Sequence, residues 1–289
     1  MKRKTGPFLL AASILALAPL SSWSAENDWQ SRAIAPVVNP IFFETPLIQS
    51  EIRPLFAYHS MDKDFLGADV DVRVYAVQLR YAVNERLAII ATKDGYMEID
   101  PQVRGAKTQR GWNDIAAGVK YAVYRDDERQ VQITPGITFE IPSGSDDVFQ
   151  GNGDGEVNLF VSAIKGFDQL HLTANLGARV PFDTTEKTAN IRYALMADYY
   201  TCQWFIPFVS INAVTTLTEA KAAPFDTEGY DVVNFGSSRA GGVTQAAAGV
   251  GFRSRLHERV DLGFAYEYGF TPTDDIFKDR FTVDLIWRF

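Results

Sequence analysis

The chain of 289 residues has one cysteine, three histidines and little positive charge. Beyond residue 24 it has no apolar run approaching the roughly 18 residues of a helical membrane span. A helical inner-membrane protein is thereby excluded. The lone Cys202 excludes an intramolecular disulfide framework and a cysteine-rich metal site. His59, His171 and His257 stand far apart in sequence, none lies in an H-E-x-x-H pattern, and there is no G-x-S-x-G. An enzyme acting on lipid needs a nucleophile or metal with a base in reach, so no catalytic residue, metal ligand or cofactor is assigned.

What is present begins with a basic Lys2-Arg-Lys4, an apolar Pro7–Leu20 and a small-x-small Ser22-Trp-Ser24. This is the pattern of a cleaved secretory signal peptide over residues 1–24. Its removal takes away three of the 28 Lys/Arg and none of the 36 Asp/Glu, leaving a net charge of about −11. Such a chain does not seek nucleic acid or anionic lipid through bulk electrostatics.

From residue 50 onward, segments of about ten residues alternate apolar and polar between turn residues, the signature of membrane-spanning strands. The alternating spans are 50–59, 71–82, 87–95, 112–124, 131–141, 156–167, 170–181, 191–202, 205–218, 245–255, 260–271 and 280–289. Short connections such as 83–86, 168–169 and 256–259 alternate with longer ones at 60–70, 96–111, 142–155, 182–190, 219–244 and 272–279. The fold class predicted is all-β, a transmembrane antiparallel up-and-down barrel of about twelve strands over residues 50–289, with short periplasmic turns and long extracellular loops.

The last strand, Phe281-Thr-Val-Asp-Leu-Ile-Trp-Arg-Phe289, puts Phe281, Val283, Leu285, Trp287 and Phe289 on one face. It resembles the closing strand of bacterial outer-membrane barrels, whose aromatic end is read by the barrel assembly machinery. The predicted location is therefore the cell outer membrane, with lipid and lipopolysaccharide as neighbours. Tyr81, Tyr121, Phe167, Tyr199, Trp204 and Trp287 gather toward the short-turn end; Tyr58, Trp112, Phe139, Phe182, Tyr193 and Phe270 gather toward the other. These are two interfacial belts. Pro54, Pro135 and Pro207 call for bulges, because proline removes a ladder donor and a closed barrel has no edge.

Strand parity turns Arg53, Arg80, Lys120, Glu140, Arg179 and Glu267 inward as candidate pore-lining residues. Glu51, Glu156, Arg192, Asp198, Arg253, Asp261, Asp284 and Arg288 share that side. Both signs occur, so these charges either brace the wall in pairs or line a wet passage. The segment 25–49 is too apolar for a disordered periplasmic tail, with Ile34, Val37, Val38, Ile41, Phe42, Phe43, Leu47 and Ile48 among Pro36, Pro40 and Pro46. It either enters the barrel as a plug, or adds a strand, or caps the periplasmic mouth. The acidic loops, with Asp62, Asp64, Asp146, Asp147, Asp226, Glu228, Asp231, Asp274 and Asp275 among their residues, are expected to be solvated surface. Gly151-Asn-Gly-Asp-Gly-Glu156 lacks EF-hand spacing and reads as a hairpin connection.

Trp112-Asn-Asp-Ile-Ala-Ala-Gly-Val-Lys-Tyr121, the strand end Glu140-Ile-Pro-Ser-Gly144 and the terminal strand together resemble the outer-membrane proteins of the MetA-pathway phenol-degradation family. That resemblance implies an outer-membrane channel or transporter that passes small organic or aromatic solutes, and it transfers no binding residue. The alternatives are an outer-membrane enzyme acting on lipid or lipopolysaccharide, or a structural surface barrel without transport. A monomer is the default expected for a barrel of this size.

Overall fold

A computed structural model describes residues 29–61, 63, 69–271 and 276–289. Asp62, Asp64, Asp274 and Asp275 lie outside the described residues, as does the signal-like stretch 1–24. The strands are β1 Glu51–Met61, β2 Val70–Ala82, β3 Leu87–Lys93, β4 Tyr96–Pro101, β5 Gln109–Trp112, β6 Ile115–Tyr121, β7 Tyr124–Asp126 and β8 Val131–Ile141. They continue as β9 Glu156–Phe167, β10 Leu170–Pro181, β11 Asn190–Tyr199, β12 Ile206–Thr216, β13 Thr244–His257, β14 Val260–Gly269 and β15 Asp279–Arg288. β1 pairs antiparallel with both β15 and β2, so the sheet closes on itself. β3 and β4 follow one another along β2, β6 and β5 follow one another beside them, and β7 extends the wall against β8. The 15 segments thus form a closed antiparallel barrel of twelve staves. Closure leaves no unpaired edge, which lipid requires because it offers the backbone no hydrogen bonds.

Alternation fixes the faces. Along β8, Gln132, Thr134, Thr138 and Glu140 are buried inside, while Phe139 and Ile141 are exposed outside. On β10, His171, Thr173, Asn175 and Arg179 point in and Leu172, Leu176 and Val180 point out. The wall is therefore greasy outside and polar inside, the reverse of a soluble sandwich. The aromatic belts are exposed at both rims, with Tyr121, Phe167 and Trp287 at one and Trp112, Phe182 and Phe270 at the other.

One expected loop is a hairpin. Residues 96–111 were expected to connect strands, but β4 and β5 pair there, with Glu98 opposite Arg110. β4 turns Met97 and Ile99 inward and Glu98 and Asp100 outward. That is the water-soluble sense of alternation, which suits a wall rising above the membrane. The prolines do not produce bulges at their own positions. Pro54, Pro135 and Pro207 keep regular register on one side, opposite Val77, Val161 and Phe252. On the other side each meets a gap in the ladder, between β6 and β7 for Pro135 and past the end of β11 for Pro207. A missing donor costs nothing where no acceptor awaits it.

Candidate functional site

The lumen is occupied. Residues 29–49 run inside the barrel, where Ile34, Val37, Val38 and Phe43 pack against Ala194, Met196, Ile206, Phe208 and Ala265 of the wall. Trp29 and Leu47 pack on Ile164. Prolines 36, 40 and 46 leave the segment with fewer N–H donors than carbonyl acceptors, and it forms no strand. The wall supplies donors instead. Arg53 donates to Pro36 O at 2.7 Å, Arg253 to Ala35 O at 3.1 Å, Gln78 to Pro40 O at 2.6 Å and Thr134 to Pro46 O at 2.7 Å. Ser162 donates to Glu44 O at 2.7 Å. A proline-rich chain rich in carbonyls thus meets a wall rich in arginine, lysine and amide groups, and its backbone is satisfied without a ladder. At the periplasmic rim the Trp29 indole donates to Asp127 at 3.1 Å. The hydrogen bond from Arg125, aided by that from Trp29, holds the Asp127 carboxyl below its ordinary range.

All of the candidate pore-lining residues turn inward, and none faces open water. Arg80 grips Glu44 of the segment through Nε at 2.8 Å and Nη2 at 2.6 Å, and reaches Glu51 at 3.1 Å. Lys120 donates to the Glu44 carboxylate, Thr45 O and Leu47 O at 2.7, 2.7 and 2.8 Å. Arg53 and Arg253 share Asp284. Arg179 pairs with Glu140 and Glu156, and Lys93 and Lys187 join the same cluster. Glu267 accepts from the Asn39 backbone N–H at 3.3 Å and lies near Arg280 at 3.8 Å. Such charges are buried at tolerable cost only because each is paired. Parity finds most of this set. The candidate set leaves out Arg280, which parity places on the inward face of β15, and parity has no means of finding Glu44, which lies on no strand.

Toward the outside the lumen changes character. The inward residues of β2 run from Arg80 and Gln78 to Ala76, Val74, Val72 and Val70. Those of β1 run from Glu51 and Arg53 to Leu55, Ala57, His59 and Met61. The loop 217–243 folds over this apolar wall and buries Tyr230, Val233 and Phe235. Glu228 and Asp231 are therefore not solvated surface: Asp231 pairs with Arg280 at 2.5 Å, and Glu228 accepts from Thr188 at 2.9 Å and from Ser237 N at 3.1 Å. Between loop and wall lies an apolar pocket lined by Met61, Val70, Val72, Met97, Ile99, Phe149, Phe225, Val233 and Phe235. His59, Asp231 and Val232 at its base also border a second, inner chamber that reaches Leu55, Val74, Gln78 and Lys93.

The wall is interrupted beside that chamber. β2 pairs with β4 through Val70–Tyr75 and with β3 through 79–82, so Ala76, Val77 and Gln78 have no ladder partner on that side. The Asp94 carboxylate stands in, accepting from Val77 N at 2.9 Å. Gly95 makes the break with φ of +102°, and a Cβ there would meet Tyr75 O at 2.2 Å. An outer groove at this notch, between Tyr75, Val77, Tyr96, Trp112 and Ile115, shares Leu55, Ala76, Asp94 and Asn113 with the inner chamber.

Among the described residues there is no cluster of histidine, cysteine or carboxylate able to hold a metal ion. At the outer end of β1, His59 Nε2 donates to Ile276 O at 2.8 Å and Nδ1 accepts from Arg280 at 3.3 Å, and His171 pairs with Asp198 at the start of β10. The two histidines occupy opposite ends of the lumen. Cys202 is exposed in the turn between β11 and β12.

No family model and no curated protein sequence matches this chain. In fold it is similar to an outer membrane channel from Pseudomonas putida F1, with TM-score 0.62 and 12% identity over 84% of this chain and 96% of that one. It is also similar to the NanC porin, with TM-score 0.51 and 9% identity over 83% of this chain and 100% of that one. The fold is that of bacterial outer-membrane channels.

Proposed function

We propose that the protein is an outer-membrane channel for small organic solutes with apolar or aromatic bodies, held closed at rest by residues 29–49. The observation that carries this reading is the division of the lumen: an apolar pocket lies under the loop 217–243, and below it a charged layer is filled by residues 29–49. A brace for a purely structural barrel needs no apolar vestibule. A hydrolytic site needs a nucleophile beside a base, and the paired histidines offer none. The resemblance to the phenol-degradation family points to the same solute class, and the fold is one that channels share.

The vestibule sets the selectivity in this account. Phenol added on the extracellular side should obstruct ion current through protein lacking residues 29–49, and Val233→Asp should raise the concentration required on the order of tenfold by lining the pocket with charge. Equal obstruction by a disaccharide, or no effect of Val233→Asp, would remove the vestibule from the account. A second reading, sideways release of the solute into the membrane, is favoured by the interrupted ladder at Ala76–Gln78. There Leu55, Ala76, Asp94 and Asn113 line both the inner chamber and the outer groove.

A further inference from the structure

Glu44 is the only acidic residue in the segment 29–49. Most other hydrogen bonds between segment and wall use backbone carbonyls, which are indifferent to side-chain identity. Glu44 is different. Its two oxygens fill the planar fork of Arg80, and Oε1 also takes the Lys120 ammonium at 2.7 Å. All three hydrogen bonds of Lys120 go to the segment. When the segment leaves, Lys120 has lost every direct partner and Arg80 keeps Glu51 as its one carboxylate. A guanidinium fork and an ammonium against one acid form a ready carboxylate receptor. It also lies in line with the apolar path, because Arg80 is the next inward residue of β2 after Gln78, which borders the inner chamber.

We propose that Arg80 and Lys120 form a carboxylate-binding site of the lumen, that Glu44 occupies it at rest as an internal stand-in, and that the solutes admitted are small apolar or aromatic molecules bearing a carboxylate. This rests on the channel reading above and narrows its solute class. Solute and segment then compete for the same cations, so the arriving carboxylate itself displaces the plug. The hydrophobic body suits the vestibule, and the acid group suits the site below it.

The test is calorimetric binding of benzoate, with benzyl alcohol as its neutral counterpart, to the refolded wild-type protein, to Glu44→Gln and to Glu44→Gln/Lys120→Gln. Benzoate is expected to bind Glu44→Gln at least about tenfold more tightly than wild type, and the added Lys120→Gln to reverse that gain. Benzyl alcohol is expected to treat all three alike. Protein lacking residues 29–49 should bind benzoate as Glu44→Gln does, which covers a fault peculiar to the point variant. Benzoate binding that is unchanged by Glu44→Gln or survives Lys120→Gln overturns the site, and inorganic phosphate binding as well as benzoate overturns the carboxylate class. Protein lacking residues 29–49 that stays silent in the bilayer yet binds benzoate would remove the channel and leave the site.

Discussion

Asp284→Ala is expected to cost about 3–5 kcal/mol of folding stability, more than any other single change to the wall, because it strands two buried guanidinium groups at once. Asp284 takes Arg53 Nε at 2.7 Å on one side and Arg253 at 2.8 and 3.0 Å on the other. All three side chains are essentially inaccessible. The space is tight as well, since a Cβ on the facing Gly263 would lie 2.5 Å from Asp284 Oδ1. The loss should appear as a lower urea midpoint in lipid vesicles and a lower temperature at which the folded band disappears on a gel. The triple replacement Arg53→Met, Arg253→Leu and Asp284→Leu should recover most of it, because removing the whole group leaves no uncompensated charge. An Asp284→Ala protein as stable as wild type would mean that water reaches the arginines and the lumen is open there.

Lys120→Glu carries the largest functional effect of any point change. It removes three hydrogen bonds to the segment and sets a second carboxylate against Glu44, where a favourable contact of 2.7 Å had been. Like charges at that separation in a poorly screened lumen cannot both be kept. The segment should leave its seat, and steady ion current should replace a closed or flickering barrel. Glu44→Gln placed in the same protein should recover part of the closure, because it removes the like-charge contact while the amide oxygen can still accept from Arg80. Lys120→Glu currents no different from wild type would show that other contacts suffice to hold the segment.

The barrel was legible because lipid enforces strict alternation, and inward and outward residues alternate without interruption in β10, β11 and β12. The same parity turned Arg53, Arg80, Lys120, Glu140, Arg179 and Glu267 inward. Their partners were less legible, because the pairings join residues far apart in the chain: Arg53 with Asp284, Arg80 with Glu44, Arg280 with Asp231. The outer apolar wall was hidden for another reason. Along β2 the phase of alternation never changes, but the inward residues pass from Arg80 and Gln78 to Val74, Val72 and Val70, so that a span judged by polarity contrast fades. β4, with its apolar side inward, fades altogether and reads as loop. The segment 29–49 has no period at all, and its composition alone left a plug on one side and a strand or a cap on the other both open. Its carbonyls meet side chains of the wall rather than a neighbouring strand, a mode of satisfaction that leaves no trace in sequence.

The account turns on the segment that fills the lumen, and single-channel conductance in a planar bilayer addresses it directly. The refolded mature protein should be closed or open only in brief events, and the same protein lacking residues 29–49 should give steady ohmic steps. Identical conductance from the two, with folding verified for both, would contradict it.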